Sequence, residues 1–195
     1  KLEFEDSAYL YNLLSEELQV AVLVELDEEL RDDIIRTFSS KEIAEQLEFM
    51  ASDDAADLVS EFPKEQIEEV IGHISDVETA EDIVDLLNYD PDTAGGLMQK
   101  EFIQAKAEWP VNRCVVELRK QAEEVEKIFT IYVIDENNKL VGYLSLKSLL
   151  FANPTTKISN LYQSKNIISV KTSDDNEDVA RIMEKYNLVS VPVVD

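Results

Sequence analysis

Two rhythms of apolar residues run along this chain of 195 residues. Over residues 26–75, Leu26-Asp27, Phe38-Ser39, Met50-Ala51, Phe62-Pro63 and Ile74-Ser75 recur every twelve residues. Each pair is an apolar residue followed by a small, polar or proline residue. Between them lie EELRDDIIRTF (28–38), KEIAEQLEFM (41–50), DDAADLVSEF (53–62) and KEQIEEVIGHI (64–74). Their apolar residues fall three and four apart, as Ile43, Leu47 and Met50 do, and that spacing predicts short amphipathic helices. Asp27, Ser39 and Ser52 are expected N-caps, and Pro63 suits a first helical turn. One short helix cannot bury its own face, so successive units must stack as in an α-solenoid.

Beyond residue 100 the rhythm changes. FIQAK (102–106), VNRCVVELRKQA (111–122) and IFTIYVID (128–135) read as strand, helix and strand, and so do IISVK (167–171), NEDVARIMEKY (176–186) and VSVPVVD (189–195). Matching strands are 65 and 60 residues apart (167 − 102 and 191 − 131), so one unit is repeated with a small length change. In the first copy ENNK (136–139) is expected to turn a hairpin into strand LVGYLSL (140–146) and short helix KSLLFA (147–152). The second copy stops before that return. The expected fold class is multidomain: an all-α superhelical, solenoid-like domain, then a pair of βαββα units with the second incomplete. The expected domains are 1–92, 93–152 and 153–195.

Charge divides the chain at the same place. Residues 1–92 carry 28 Asp/Glu against 5 Lys/Arg, a net of −23, while 93–195 carry 14 against 13, a net of −1. The acidic half has no basic stripe to meet phosphates, which excludes a nucleic-acid or anionic-lipid surface there and leaves cations as its natural counter-ions. Most of its acids fit a solvated coat that favours helix N-termini. Asp53 and Asp57 differ, because four residues apart on one helical face like charges oppose the helix by roughly 0.2–0.5 kcal/mol. Such a pair is either simply solvated or meets a divalent cation with other oxygen donors. One cysteine, Cys114, and one histidine, His73, rule out a disulfide framework and a Cys/His zinc cluster. These two, with Trp109, read as structural. The apolar runs VAVLV (20–24) and IFTIYVI (128–134) are too short to span a bilayer. A chain that begins with Lys and stops on a strand reads as a piece of a longer protein.

At the boundary lies NYDPDTAGGLMQKEF (88–102), with two of the four glycines adjacent. No phosphate-loop spacing passes through it. Pro91 interrupts helix propagation, and Gly95 and Gly96 are expected to permit tight backbone geometry and to expose carbonyls.

The βαββα repeat resembles the CBS domain pair. YDPDTAGGLM (89–98) resembles the signature that joins the helical domain to the CBS pair in MgtE-type magnesium channels, and the acidic array with DDAADLVSEFP resembles that family's cytosolic N domain. The likeness covers essentially the whole chain. It implies a non-enzymatic regulatory region on the cytoplasmic face of the membrane, dimeric through its CBS domains and followed by its own transmembrane domain. Mg²⁺ bound between acidic surfaces then draws the N and CBS domains together and closes the pore. Two carboxylates about 6 Å apart repel by roughly 0.7 kcal/mol even in water, so many such pairs resist compaction until a cation relieves them. By the same resemblance the Mg²⁺ ligands fall on Asp53, Asp57, Asp90, the carbonyl of Gly96, Asp175 and Glu177. Asp175 and Glu177 also suit plain capping at a helix start. Asn187 stands where similar proteins often carry aspartate. CBS pairs often bind adenine nucleotides through Ser/Thr-x-x-Asp, which here reads Ser145 to Ser148 without the acid. A soluble adenine-nucleotide-sensing CBS regulator with a helical interaction domain is the alternative reading.

Overall fold

The computed structural model describes residues 4–122, 125, 128 and 130–195. The expected strand residue 129 lies outside them. The chain divides into two compact units, the first closing at Asp90 and the second opening at Pro91.

The described residues of the first unit form seven helices: α1 (Phe4–Tyr11), α2 (Glu16–Glu25), α3 (Glu28–Ile35), α4 (Ser40–Leu47), α5 (Ser52–Ser60), α6 (Lys64–Ile71) and α7 (Val77–Leu86). Their starts at 4, 16, 28, 40, 52 and 64 are twelve apart, and only the step to 77 is thirteen. Helices of eight to ten residues are too short to persist alone in water. They are held by stacking on alternate neighbours, α2 on α4, α4 on α6 and α5 on α7. Each apolar face goes inward: Leu23, Ile43, Leu47, Val59, Val70 and Ile83 are fully buried. The caps follow the sequence in part. Asp27 accepts from the Leu30 N–H, and Ser39 with Glu42 forms a reciprocal capping box. Ser52 is not a cap. Ala51 takes that position, and Ser52 begins the helix with its side chain buried. Pro63 sits one residue before α6 as its N-cap. A closed ring of hydrogen bonds ties three helices: Tyr11 OH donates to Gln46 Oε1, Gln46 Nε2 to Gln19 Oε1 and Gln19 Nε2 to the Tyr11 carbonyl, each at 3.2 Å.

The second unit contains β1 (Gln104–Lys106), α8 (Val111–Gln121), β2 (Ile131–Ile134), β3 (Leu140–Leu144), α9 (Leu146–Leu150), a 3₁₀ turn at Ile158–Asn160, β4 (Val170–Lys171), α10 (Asn176–Tyr186) and β5 (Val193–Val194). β1 lies parallel to β2 and β3 antiparallel to β2, while β4 lies parallel to β5, so both copies start from the same parallel pair. The 136–139 turn carries Asn138 at φ 60°, a left-handed position that asparagine tolerates. Val111, Cys114 and Leu118 of α8 pack with Ile103, Ala105, Ile131, Val133, Leu144, Leu149 and Ile158 in one core.

Each copy is entered by a leader segment that crosses to the other copy, with one hydrogen-bond pattern used twice. In the first leader, Asp92 O accepts from the Asn176 N–H (3.0 Å), Ala94 N–H donates to Asp174 O (2.8 Å) and Gly95 N–H to Thr172 O (2.9 Å). In the second, Thr156 O accepts from the Val111 N–H (2.9 Å), Ile158 N–H donates to Trp109 O (2.9 Å) and Ser159 N–H to Ala107 O (2.8 Å). Thr93 bridges Asp175 as Lys157 bridges Pro110. Receiving positions are 65 apart (172 − 107, 174 − 109, 175 − 110) and leader positions 64 (156 − 92, 158 − 94, 159 − 95). The glycine pair therefore occupies the places of Ser159 and Asn160. The turn at 93–97 is closed by Leu97 N–H to Thr93 O (3.1 Å), but no glycine among the described residues has a positive φ. The expected backbone freedom of Gly95 and Gly96 is not used, because the turn is one that any L-residue can adopt.

Candidate functional site

The candidate ligands fall into groups that the two units place separately. Asp53 and Asp57 project from α5, whose other side is packed by Ala55, Ala56, Leu58 and Val59. Burial of the Asp57 carboxyl, and then Asp53 beside it, push its pKa above the usual carboxylate range, while Arg31 acts in the opposite sense. Asp53 Oδ1 is closed off from solvent without a hydrogen-bond partner, and so is Arg31 Nε. Arg31 comes from α3 and its Nη2 lies 3.1 Å from Glu61 Oε1, just past the end of α5. Arg31, Asp54 and Asp57 line one small cleft of about 60 Å³ with Leu23, Val24, Met50 and Leu58. Arg31 is the residue that sequence reading passed over. Its signal was present, as one of only five cations among 28 acids in residues 1–92.

Asp90 is the exposed last residue of the first unit, two positions before the leader residue Asp92. Within the second unit the structure brings Gly96 and Asp175 into one neighbourhood: Gly96 N–H donates to Thr93 Oγ1 (3.4 Å), and Thr93 bridges Asp175. Asp175 is the N-cap of α10 and accepts from the Glu177 N–H at 2.9 Å. Glu177 Oε2 is 2.9 Å from Arg181 Nη2, and Asp178 takes the other arm of that guanidinium at 2.6 Å. Both candidates thus have structural partners as well as exposed carboxylates. Asn187 ends α10 at φ 51° and serves as a left-handed C-cap.

Ser145 caps α9, accepting from the Ser148 N–H at 3.1 Å, with the two hydroxyls 2.7 Å apart. The serines of the nucleotide-like pattern are engaged with each other. A cleft of about 370 Å³ opens at the carboxyl ends of β1 and β2, lined by Ala107, Glu108, Asp135, Glu136, Asn137, Lys157 and Ser159. The N–H groups of Lys139 and Asn137 hold the Asp135 carboxyl below the usual range. Among the described residues no three His, Cys, Asp or Glu side chains converge to hold a metal ion. No described helix is long and apolar enough to cross a membrane.

Comparison with known proteins places this arrangement. Residues 1–92 match the model of the MgtE intracellular N domain, and residues 94–154 and 158–195 match the CBS domain. The solved cytosolic domain of the Mg²⁺ channel MgtE in complex with ATP superposes with a TM-score of 0.88 at 32% identity, covering 100% of this chain and 79% of that one. The chain belongs to the MgtE magnesium-transporter family. It matches the cytosolic region of MgtE, a helical N domain followed by a CBS pair. The MgtE of Thermus thermophilus is 35% identical over 145 residues, 73% of this chain and 32% of that protein. The MgtE of Enterococcus faecalis is 38% identical over 118 residues, 60% of this chain and 26% of that protein. The chain therefore spans about a third or less of the length of these relatives.

Proposed function

We propose that this chain is the Mg²⁺-sensing regulatory region of an MgtE-type transporter, acting on the cytoplasmic face of the membrane, without catalysis. The observation that carries the reading is the charge contrast, a net of −23 over residues 1–92 against −1 over residues 93–195 (28 acids and 5 cations, then 14 and 13). Carboxylate and carbonyl oxygens are the hard donors that Mg²⁺ takes, and Mg²⁺ commonly keeps several waters while using only one or two carboxylates. The donor set of Asp53, Asp57, Asp90, the Gly96 carbonyl, Asp175 and Glu177 fits that chemistry. With these carboxylates unneutralised, the acidic surfaces repel and keep the N and CBS domains apart. Once neutralised they allow the domains to draw together and hold the transmembrane gate closed. The region works as a homodimer through its CBS domains, beside its own transmembrane domain.

A nucleotide reading has one observation in its favour, the ATP carried by the similar solved cytosolic domain. The mutual engagement of Ser145 and Ser148 makes it the second reading for this chain. Small-angle scattering of the chain at constant ionic strength, with millimolar Mg²⁺ or with ATP alone, separates the two. A reversible fall in radius of gyration with Mg²⁺, blunted in Asp53→Asn/Asp57→Asn, is the expected result. Compaction no greater than with K⁺ sinks the sensing proposal, and stabilisation by ATP independent of Mg²⁺ favours the second reading.

A further inference from the structure

The first unit spends its few cations unevenly. Among the described residues, Arg36, Lys41 and Lys64 are 73%, 70% and 85% exposed and pair with acids three or four residues away along the chain. Arg31 is 23% exposed and reaches a carboxylate 30 residues away, just past the end of another helix. Exposed pairs of the first kind contribute little. A guanidinium held in a cleft walled by Leu23, Val24, Met50 and Leu58 acts on the carboxylates beside it through a lower dielectric. Asp54 and Asp57 line that cleft, and the field of Arg31 reaches Asp57. The guanidinium is not saturated, since its Nε–H is closed off from solvent with no acceptor.

We propose that Arg31 is a tethered counter-cation of the α5 carboxylates, and that its partition between Glu61 and α5 sets the Mg²⁺ concentration at which Asp53 and Asp57 respond. This rests on the reading of those two residues as Mg²⁺ ligands; its own content is the competition. Arg31 supplies fixed positive charge where the divalent ion would bring its own, so the two oppose each other. Glu61 draws Arg31 away from α5. The two charges therefore act on Mg²⁺ affinity with opposite signs, which a purely structural ion pair does not do, because breaking it from either end has one effect.

The test is a MgCl₂ titration of the chain at constant ionic strength, following the backbone amides of α5 by two-dimensional NMR. Arg31→Gln lowers the midpoint by about fivefold or more, the factor equivalent to removing one opposing unit charge at about 4 Å in water. Glu61→Gln raises it, and Arg31→Lys, which keeps the charge but loses the fork, stays near the parent. Asp53→Asn/Asp57→Asn abolishes the response. If Arg31→Gln and Glu61→Gln shift the midpoint in the same direction, or not at all, while the double variant still abolishes it, the competition is wrong and the ligand reading stands. If α5 responds in neither the parent nor Arg31→Gln, the ligand reading itself fails. Should Arg31→Gln prove unfolded by circular dichroism, Glu61→Gln decides alone, and a midpoint at or below the parent overturns the inference.

Discussion

The two copies of the CBS unit share their leader hydrogen bonds but bury their helices differently. α8 buries Val111, Cys114 and Leu118; the positions 65 residues later on α10, Asn176, Val179 and Met183, include no buried residue. Both helices have a one-sided apolar pattern. What differs is the closing partner, since in the first copy β3 and α9 supply Leu144 and Leu149 to the core. Amphipathicity says which face seeks cover, and burial follows only where another element provides it.

Truncating matched positions of α8 and α10 has the largest expected effect. Leu118→Ala is expected to destabilise the second unit by about 2–5 kcal/mol and Met183→Ala by much less, because only the first leaves a cavity in a closed core. Denaturant unfolding followed by fluorescence of the single tryptophan, Trp109, which packs against that core, reads both. Equal losses would refute the difference between the copies. Next in size is Gly142→Ala on β3, where a Cβ would lie 2.4 Å from the Gln163 carbonyl and the Tyr162 ring. Overpacking of that kind costs about 1–3 kcal/mol. It should expose the Tyr143 and Gln163 amides, which bond each other's carbonyls, to hydrogen exchange. Retained protection at both would show that the neighbour yields freely.

Smaller still are the caps. Asp175→Ala removes the side-chain acceptor at α10 and Ser39→Ala half of the capping box at α4, each worth about 1 kcal/mol. If Asp175→Ala costs stability but leaves Mg²⁺-dependent compaction intact, capping is its whole role. The smallest effect is a pH dependence. Asp57 has a folded-state pKa above its unfolded one, so the folded chain holds that proton more tightly. Its ionisation opposes folding as pH rises through the window between the two values, and the penalty persists above it. Asp57→Asn should raise the melting temperature slightly at neutral pH and lose that advantage in acid. Glu42 and Asp135, held low by hydrogen bonds, run the other way; their stabilisation is present above the unfolded carboxylate value and lost as pH falls through the folded one. A melting temperature for Asp57→Asn below the parent's at neutral pH would contradict this assignment.

The helices of the array were legible because a twelve-residue period fixes both their starts and their inward faces. The period extends further back than the 26–75 pattern, and Leu14-Ser15, with Ser15 before α2, continues it. It was hidden by VAVLV, an apolar run without helical spacing. Ser52 misled because a serine before a helical run signals a cap only if it stays outside the helix. Of the candidate site, the acids and the rarity of a cation such as Arg31 were legible as residue types, but the meeting of Arg31 with Glu61 was not, because no spacing relates α3 to the end of α5.

Periodicity and composition are local properties of a chain, and they were enough to settle the two kinds of architecture and the sign of the charge. Only the tertiary structure decided which acids have partners, that the glycine turn repeats the place of Ser159 and Asn160, and that one arginine faces inward. The long-range ones depend on residues far apart in the chain meeting through packed elements, as Arg31 meets Glu61 30 positions away and Asp92 meets Asn176 84 positions away (176 − 92). Pairings at that distance are set by how the helices and strands stack, which no local pattern encodes.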